Sequence, residues 1–360
     1  MKHRISGLVF FLGLASSAHG QEAVISQERF ASVQVCYQNW ISRAFDGSYE
    51  FNTPLQVYWP LGRQASLSIF TGHASAGGDE LAVLQGLVDT QVFFNYHWSS
   101  ANLLFGIAIN LPSGKKTLTQ EEFLTSVHLA RPFLNFDVPN LGQGFNLSPG
   151  VTWVRPLSEI LVLGLGASYQ YKGGYQFIRD LDETWYPGHE ILLTGGVDAK
   201  LAELTTLAAD VIYTIYGTDK IGDQEVHRPG EKVVLSLQFQ KYFGWKRLRV
   251  LARYRSRARS QIAEAGGLVM EKDRTYPAQI HLFAGYQLPL GSGFSLGLEA
   301  EYASYGRPLL LGIMGMGVAP EFSLSRSWKT PLYIGFMSGS FENGLAVSGF
   351  EYRIGLLRRF

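Results

Sequence analysis

Phe350-Glu-Tyr-Arg-Ile-Gly-Leu-Leu-Arg-Arg-Phe360 closes the chain. Counting back by twos gives Phe360, Arg358, Leu356, Ile354, Tyr352 and Phe350, apolar at every step but one. The interleaved residues Arg359, Leu357, Gly355, Arg353 and Glu351 are mostly polar or small. Successive side chains of a strand point to opposite faces, so this stretch reads as a strand with one greasy side and one wet side. Two architectures want such a strand: a soluble sandwich with a half-buried sheet, or a barrel whose outside meets lipid.

The preceding chain repeats the pattern. Tyr49, Phe51, Leu55, Val57 and Trp59 alternate with polar residues, as do Val92, Phe94, Tyr96 and Trp98, then Leu103, Phe105, Ile107, Ile109 and Leu111. Further runs of period two centre on Val151, Leu165, Leu193, Val211, Leu237, Val250, Leu282, Leu298, Ile334 and Phe350. Short Pro/Gly turns take turns with longer polar loops, and Tyr37, Trp59, Trp98, Trp153, Tyr171, Tyr213, Tyr302 and Trp328 gather near strand ends. These are the features of a transmembrane antiparallel up-and-down β-barrel, which closes on itself because lipid offers the backbone no hydrogen bonds. The expected fold is all-β with about 16 strands, or 14 if the weak runs at Ala31 and Val318 are irregular. Residues 112–143 break the rhythm. Within 120–136, Phe123, Val127, Ala130 and Leu134 recur near helical period, so a long loop with a short helix is expected there. Whether that loop folds into the lumen is left open. So is the apolar run Leu309 to Met316, a greasy capture loop or the upper end of a strand.

One strand carries unusual charge. Arg247, Arg249, Arg253, Arg255, Arg257 and Arg259 share odd numbers, whereas Leu248, Val250, Ala252, Tyr254 and Ala258 are even. Six guanidinium groups on one face must look onto the lumen, because each would cost about 2–4 kcal/mol in lipid at mid-depth. Glu299 and Glu301 on a later strand, with His281, Gln279 and Gln287 between, supply partners across the wall. Two readings follow: a surface selecting anionic solutes, or an ion-pair network stiffening the wall. Arg257 and Arg259 have a third, contact with lipopolysaccharide phosphates above the strand.

Composition sets bounds. The chain has 360 residues, a net charge of +1, 40 Gly and one Cys, with a mean hydropathy of +0.02. Such balance gives no reason to expect a nucleic-acid partner, and the single Cys36 excludes an internal disulfide. Lys2, His3 and Arg4 precede an apolar run and the small residues Ala18 and Gly20. About 11 apolar residues are too few for a spanning helix, which needs roughly 20, so residues 1–20 read as a signal peptide and 21–360 as the barrel. The scattered His73, His97, His128, His189, His227 and His281 show no metal-ligand spacing, and no Gly-x-Ser-x-Gly elbow occurs. No enzyme, cofactor or metal is expected, although a Ser/His pair assembled across the barrel remains open.

The terminal Phe360 resembles the ending of bacterial outer-membrane barrels, which implies reading by the barrel-assembly machinery and residence among outer-membrane lipid and lipopolysaccharide. A second resemblance lies in Leu103 to Tyr175. The strand Leu103 to Leu111, the exit Leu111-Pro-Ser-Gly-Lys115, the helix from Glu121 and Gly142-Gln-Gly-Phe-Asn-Leu147 are similar to the long-chain fatty-acid transporter superfamily, most nearly its meta-pathway phenol-degradation branch. That implies a monomeric barrel admitting hydrophobic or aromatic compounds. The N-terminal hatch with its Asn-Pro-Ala motif has no counterpart here, so a plugged path with lateral exit is not implied. The expectation is an outer-membrane channel for passive uptake of small hydrophobic or amphipathic cargo, anionic or aromatic, with Arg249, Arg253, Arg255, Arg257, His281, Glu299 and Glu301 lining its lumen. The alternatives are a general anion-preferring porin and a non-transporting structural or adhesion barrel.

Overall fold

A computed structural model describes residues 28–42, 47–138 and 140–360, so the signal-peptide reading of 1–20 falls outside the described residues. Sixteen long strands form the wall: β1 (Phe30–Ser42), β2 (Ser48–Leu61), β3 (Ala65–Gly78), β4 (Thr90–Trp98), β5 (Leu103–Leu111), β6 (Asn146–Pro156), β7 (Leu161–Lys172) and β8 (Glu190–Ala202). The second half comprises β9 (Thr205–Tyr216), β10 (Lys232–Phe243), β11 (Lys246–Arg257), β12 (Gln279–Pro289), β13 (Phe294–Tyr305), β14 (Leu311–Ser323), β15 (Trp328–Phe341) and β16 (Ala346–Arg359). Each pairs antiparallel with its neighbour in sequence, and β1 pairs antiparallel with β16 from Phe30↔Arg359 to Ser42↔Val347. The circle is therefore closed, with 16 strands, and the runs at Ala31 and Val318 are full members of it.

Side-chain parity behaves as the alternation requires. Phe350, Ile354 and Leu356 of β16 lie on the outside, with Val33 and Val35 of β1 and Met314, Met316 and Val318 of β14. Gln38, Trp40, Glu50 and Asn52 lie inside and buried. The run Leu309 to Met316 is thus resolved as the upper part of a strand, Leu311 and Ile313 turned inward and Met314 and Met316 outward. Turns between even and odd strands, such as 62–64 after β2 and 244–245 after β10, are short and lie at the end that holds Phe30 and Arg359 (the turn end). The other end carries the long connections (the loop end). A belt of outward apolar side chains with short turns on one side and long loops on the other defines a barrel of the bacterial outer membrane.

The loop end has structure that periodicity did not announce. Trp185–Tyr186, Asp219–Ile221, Gln224–Arg228, Gln261–Glu264 and Gly267–Met270 pair into a separate five-stranded sheet built from three loops. Leu84–Leu87 adds a short strand against β3. The long loop holds one short helix, α1 (Gln120–Leu129), as the spacing within 120–136 leads one to expect. Pro132 explains its stop, because the residue before a proline is driven out of helical conformation.

Candidate functional site

The Arg row stands where parity places it. Arg247, Arg249, Arg253, Arg255 and Arg257 of β11 share the lumen face with buried Leu251. Arg249 donates from Nη2 to Gln238 Oε1 of β10 at 3.2 Å. Arg257, near the loop end, donates from Nη2 to Tyr216 OH at 3.2 Å and lies over the rings of Tyr216 (4.9 Å) and Tyr276 (4.3 Å). Arg259 falls beyond the strand, exposed, and donates to the Lys272 carbonyl at 3.5 Å. In the middle of the row the register runs Asp210↔Ser236, Ser236↔Arg253 and Arg253↔His281 across four strands. His281 Nε2 meets Glu301 Oε2 at 3.1 Å. Glu299 lies within electrostatic reach of Arg353, Arg249 and Arg247.

By strand register Arg249, Arg253, Arg255 and Arg257 of β11, His281 of β12, and Glu299 and Glu301 of β13 all take the inward parity. Asp198 of β8 and Asp210 of β9 take the same inward parity, a signal that alternation in the sequence carries although they lie far from the Arg row in chain order. Asp210 sits only two strands from Arg253, about 10 Å, with small Ser236 between, and is in electrostatic reach of it. Arg253 Nε and His281 Nδ1 are buried without a hydrogen-bond partner among the described residues, as are Gln240 Oε1 and Gln170 Oε1. A dry core leaves few such atoms; a wet lumen hydrates them.

The long loop does fold inward, and chemistry fixes it at root, helix and tip. At the root the Asp89 carboxylate accepts from Asn110 Nδ2 (2.7 Å), Gly114 N (2.9 Å) and Gln143 N (2.7 Å), tying both legs together. The legs touch so closely that a Cβ on Gly114 would lie 2.1 Å from the Leu141 carbonyl oxygen. Only glycine fits there, which gives the Pro-Ser-Gly-Lys115 exit a steric reason. Helix α1 begins with a capping box between Thr119 and Glu122. Burial pushes the Glu122 carboxyl up, but hydrogen bonds from Lys115 and the Thr119 N–H outweigh it and hold the group below the usual carboxylate value. At the helix end, His128 Nε2 meets Ser48 Oγ at 2.8 Å. This is a Ser/His pair, but both residues are buried, so it acts as a tether and not as an accessible nucleophile.

Beyond α1 the tip packs on the inner wall. Phe133, Leu134 and Phe136 join Trp40, Tyr305, Leu311, Ile313, Met337 and Val347 in one buried apolar cluster. The Leu134 carbonyl accepts from both Gln38 Nε2 (2.8 Å) and Trp40 Nε1 (2.7 Å), and the Pro132 carbonyl from Tyr305 OH (3.2 Å). The Glu50 carboxylate accepts from Val138 N at 3.0 and 3.1 Å. Arg353, bonded to Glu351, faces Asp137 at 3.6 Å, an ion pair too long for a hydrogen bond. These anchors come from β1, β2, β13 and β16. The nearest of them, β13, stands next but one to β11, and its Tyr305 is within electrostatic reach of Arg255.

Comparison with known proteins assigns no family. No family model matches the chain, and no curated protein does. Among solved structures, a monoaromatic hydrocarbon channel, CymD, is 11% identical with a TM-score of 0.49, covering 93% of this chain and 89% of its own. A monoaromatic hydrocarbon channel mutant, TodX deltaS2S3, is 12% identical with a TM-score of 0.48, covering 95% of each chain. The outer membrane channel DcaP of Acinetobacter baumannii is 9% identical with a TM-score of 0.47, covering 92% of this chain and 96% of its own. None reaches a TM-score of 0.5, and no assignment rests on them.

Proposed function

We propose that this barrel is a passive outer-membrane channel for small amphipathic compounds bearing negative charge, aromatic acids among them, and that the Arg row of β11 selects them. The observation that carries this reading is the row itself. Five guanidinium groups share one lumen face, and two of them, Arg253 and Arg255, have no ion pair or hydrogen bond to another side chain among the described residues. Charges left unpaired in a lumen raise the local concentration of the opposite ion. The inward loop narrows the path beside them, and the Tyr216–Arg257–Tyr276 stack at the loop end offers a flat, cationic surface to an incoming aromatic carboxylate. The signal peptide at 1–20, assembly through Phe360 and the kinship to fatty-acid transporters belong to the same reading. A structural role for the Arg row is disfavoured by its centre, where among the described residues no carboxylate lies within ion-pair distance of Arg253 or Arg255.

The test is electrical. Purified protein in a planar bilayer should conduct with preference for anions, and Arg253→Glu with Arg255→Glu should turn that preference over, read as a change of sign in the reversal potential under a salt gradient. A folded wild type that passes no current, or a selectivity indifferent to both substitutions, rejects the proposal. Aromatic-acid uptake by cells with and without the protein then separates a selective channel from a general pore.

A further inference from the structure

The outside of the barrel is as informative as the inside. Across the sixteen strands no Asp or Glu occupies an outward position, and Lys or Arg occupies one only at Arg155 of β6, Lys241 of β10, Lys246 of β11 and Arg358 of β16. Each of these stands within a few residues of its strand's turn-end terminus. Arg29, just before β1, has the same outward parity at the same rim. The loop end of the wall shows tyrosines on its outer face, Tyr169, Tyr171, Tyr213 and Tyr302, and no cation.

Four of these five cations, all but Lys246, are held on rings. Arg29 lies 4.4 Å over Trp59, Arg155 5.9 Å over Trp153, and Lys241 4.7 Å over Phe243. Arg358 lies 5.2 Å over Trp328 and 4.5 Å over Phe360. All are within cation–π distance, and aromatic rings of this kind sit at headgroup level. A guanidinium stacked on a ring keeps its edge N–H donors for phosphate oxygens. Among the described residues none of the four has a carboxylate partner: at this rim Glu28 is taken by Arg359 at 3.4 Å, and Glu159 and Glu203 sit in the turns. The clusters fall at the β16–β1–β2 seam, at β6 and at β10–β11, spread around the circumference.

We propose that this rim is a binding belt for anionic phospholipid headgroups in the leaflet at the turn end. Charge decides the class, because a ring of unpaired cations at headgroup depth attracts lipid phosphate and nothing acidic on the outer wall opposes it. The leaflet follows from the one-sided placement. A cation near a charged membrane surface is worth about fivefold in association, so several acting together set a clear lipid preference.

Five of the seven tryptophans, Trp59, Trp98, Trp153, Trp245 and Trp328, lie at this rim and report on it directly. In bilayers that mix plain phosphatidylcholine with a brominated lipid, brominated phosphatidylglycerol should quench their fluorescence at lower mole fraction than brominated phosphatidylcholine. A variant carrying Arg29→Gln, Arg155→Gln, Lys241→Gln and Arg358→Gln should quench equally with both. Equal quenching in the wild type, or an undiminished preference in the folded variant, overturns the proposal. Unlabelled lipid A that relieves quenching better than unlabelled phosphatidylglycerol also overturns it. If the fourfold variant does not fold by its heat-shifted band on a gel, Arg155→Gln with Lys241→Gln, away from the closing seam, must lose part of the preference. Each arm is independent of whether the lumen conducts.

Discussion

The wall of β11 and β12 and the wall of β1, β2 and β16 turn the same kinds of side chain into one lumen and use them differently. On the second wall every charge near the tip of the inward loop is engaged: Glu50 by the Val138 N–H, Arg353 by Glu351 and Asp137. On the first, the central guanidiniums of Arg253 and Arg255 stand beside one another with countercharge at a distance. Residue type alone therefore does not mark a functional charge in a barrel. On the proposed reading, what separates a tether from a selecting charge is whether the chain itself supplies a fixed partner.

The largest effect should come from cutting the tethers. Glu50→Ala with Arg353→Ala leaves buried partners uncompensated, a loss of about 3–5 kcal/mol for a buried charged contact, enough to free the loop tip. Single-channel current should rise in steps as the tip leaves the path; an unchanged current in a folded double variant would show that the loop is held by its apolar cluster instead. A sharper form of the contrast uses one substitution on each wall. Arg353→Gln should lower resistance to denaturant clearly, while Arg253→Gln, which breaks no direct bond, should change it by no more than about 0.5 kcal/mol.

Trp40→Phe keeps the packing and removes the N–H that meets the Leu134 carbonyl, which still receives Gln38. It should cost about 1 kcal/mol, seen as a modest gain in current noise or in labelling of a cysteine placed at Ser126. The smallest effect concerns pH. Glu122 is held below the ordinary carboxylate value in the folded chain, so its contribution to the α1 cap is complete above that ordinary value. The contribution is lost as pH falls through the lower folded value. Amide exchange in α1 should accelerate only on strong acidification, and Thr119→Ala, at about 1 kcal/mol, should raise exchange at neutral pH. Exchange in α1 that is flat down to acid would place its stability in the wall contacts alone.

Much of this was legible in the chain before any coordinates. Period-two patterning reports which face each residue takes, and it assigned Arg249 and Glu301 to the lumen as it assigned Phe350 to lipid. The partners were less legible because they join elements far apart: Glu50 meets Val138 across 88 positions and Gln38 meets Leu134 across 96. No local spacing records that. The five-stranded sheet at the loop end escaped notice because its strands are two to five residues long, too short for alternation to register. A short helix in the long loop was legible from helical spacing, but not that Phe133 and Leu134, which continue the apolar rhythm past Pro132, serve as anchors to the wall.

The closing seam has a temporal meaning. Gln38 and Trp40 lie on the first strand, Glu50 on the second and Arg353 on the last, so the landing place for the loop tip is split between the two ends of the polypeptide. Until those ends meet, the tip has only half a socket. Completion of the circle and seating of the loop tip are thus coupled events, and a chain halted short of its final strand would lack the Arg353 contact to Asp137.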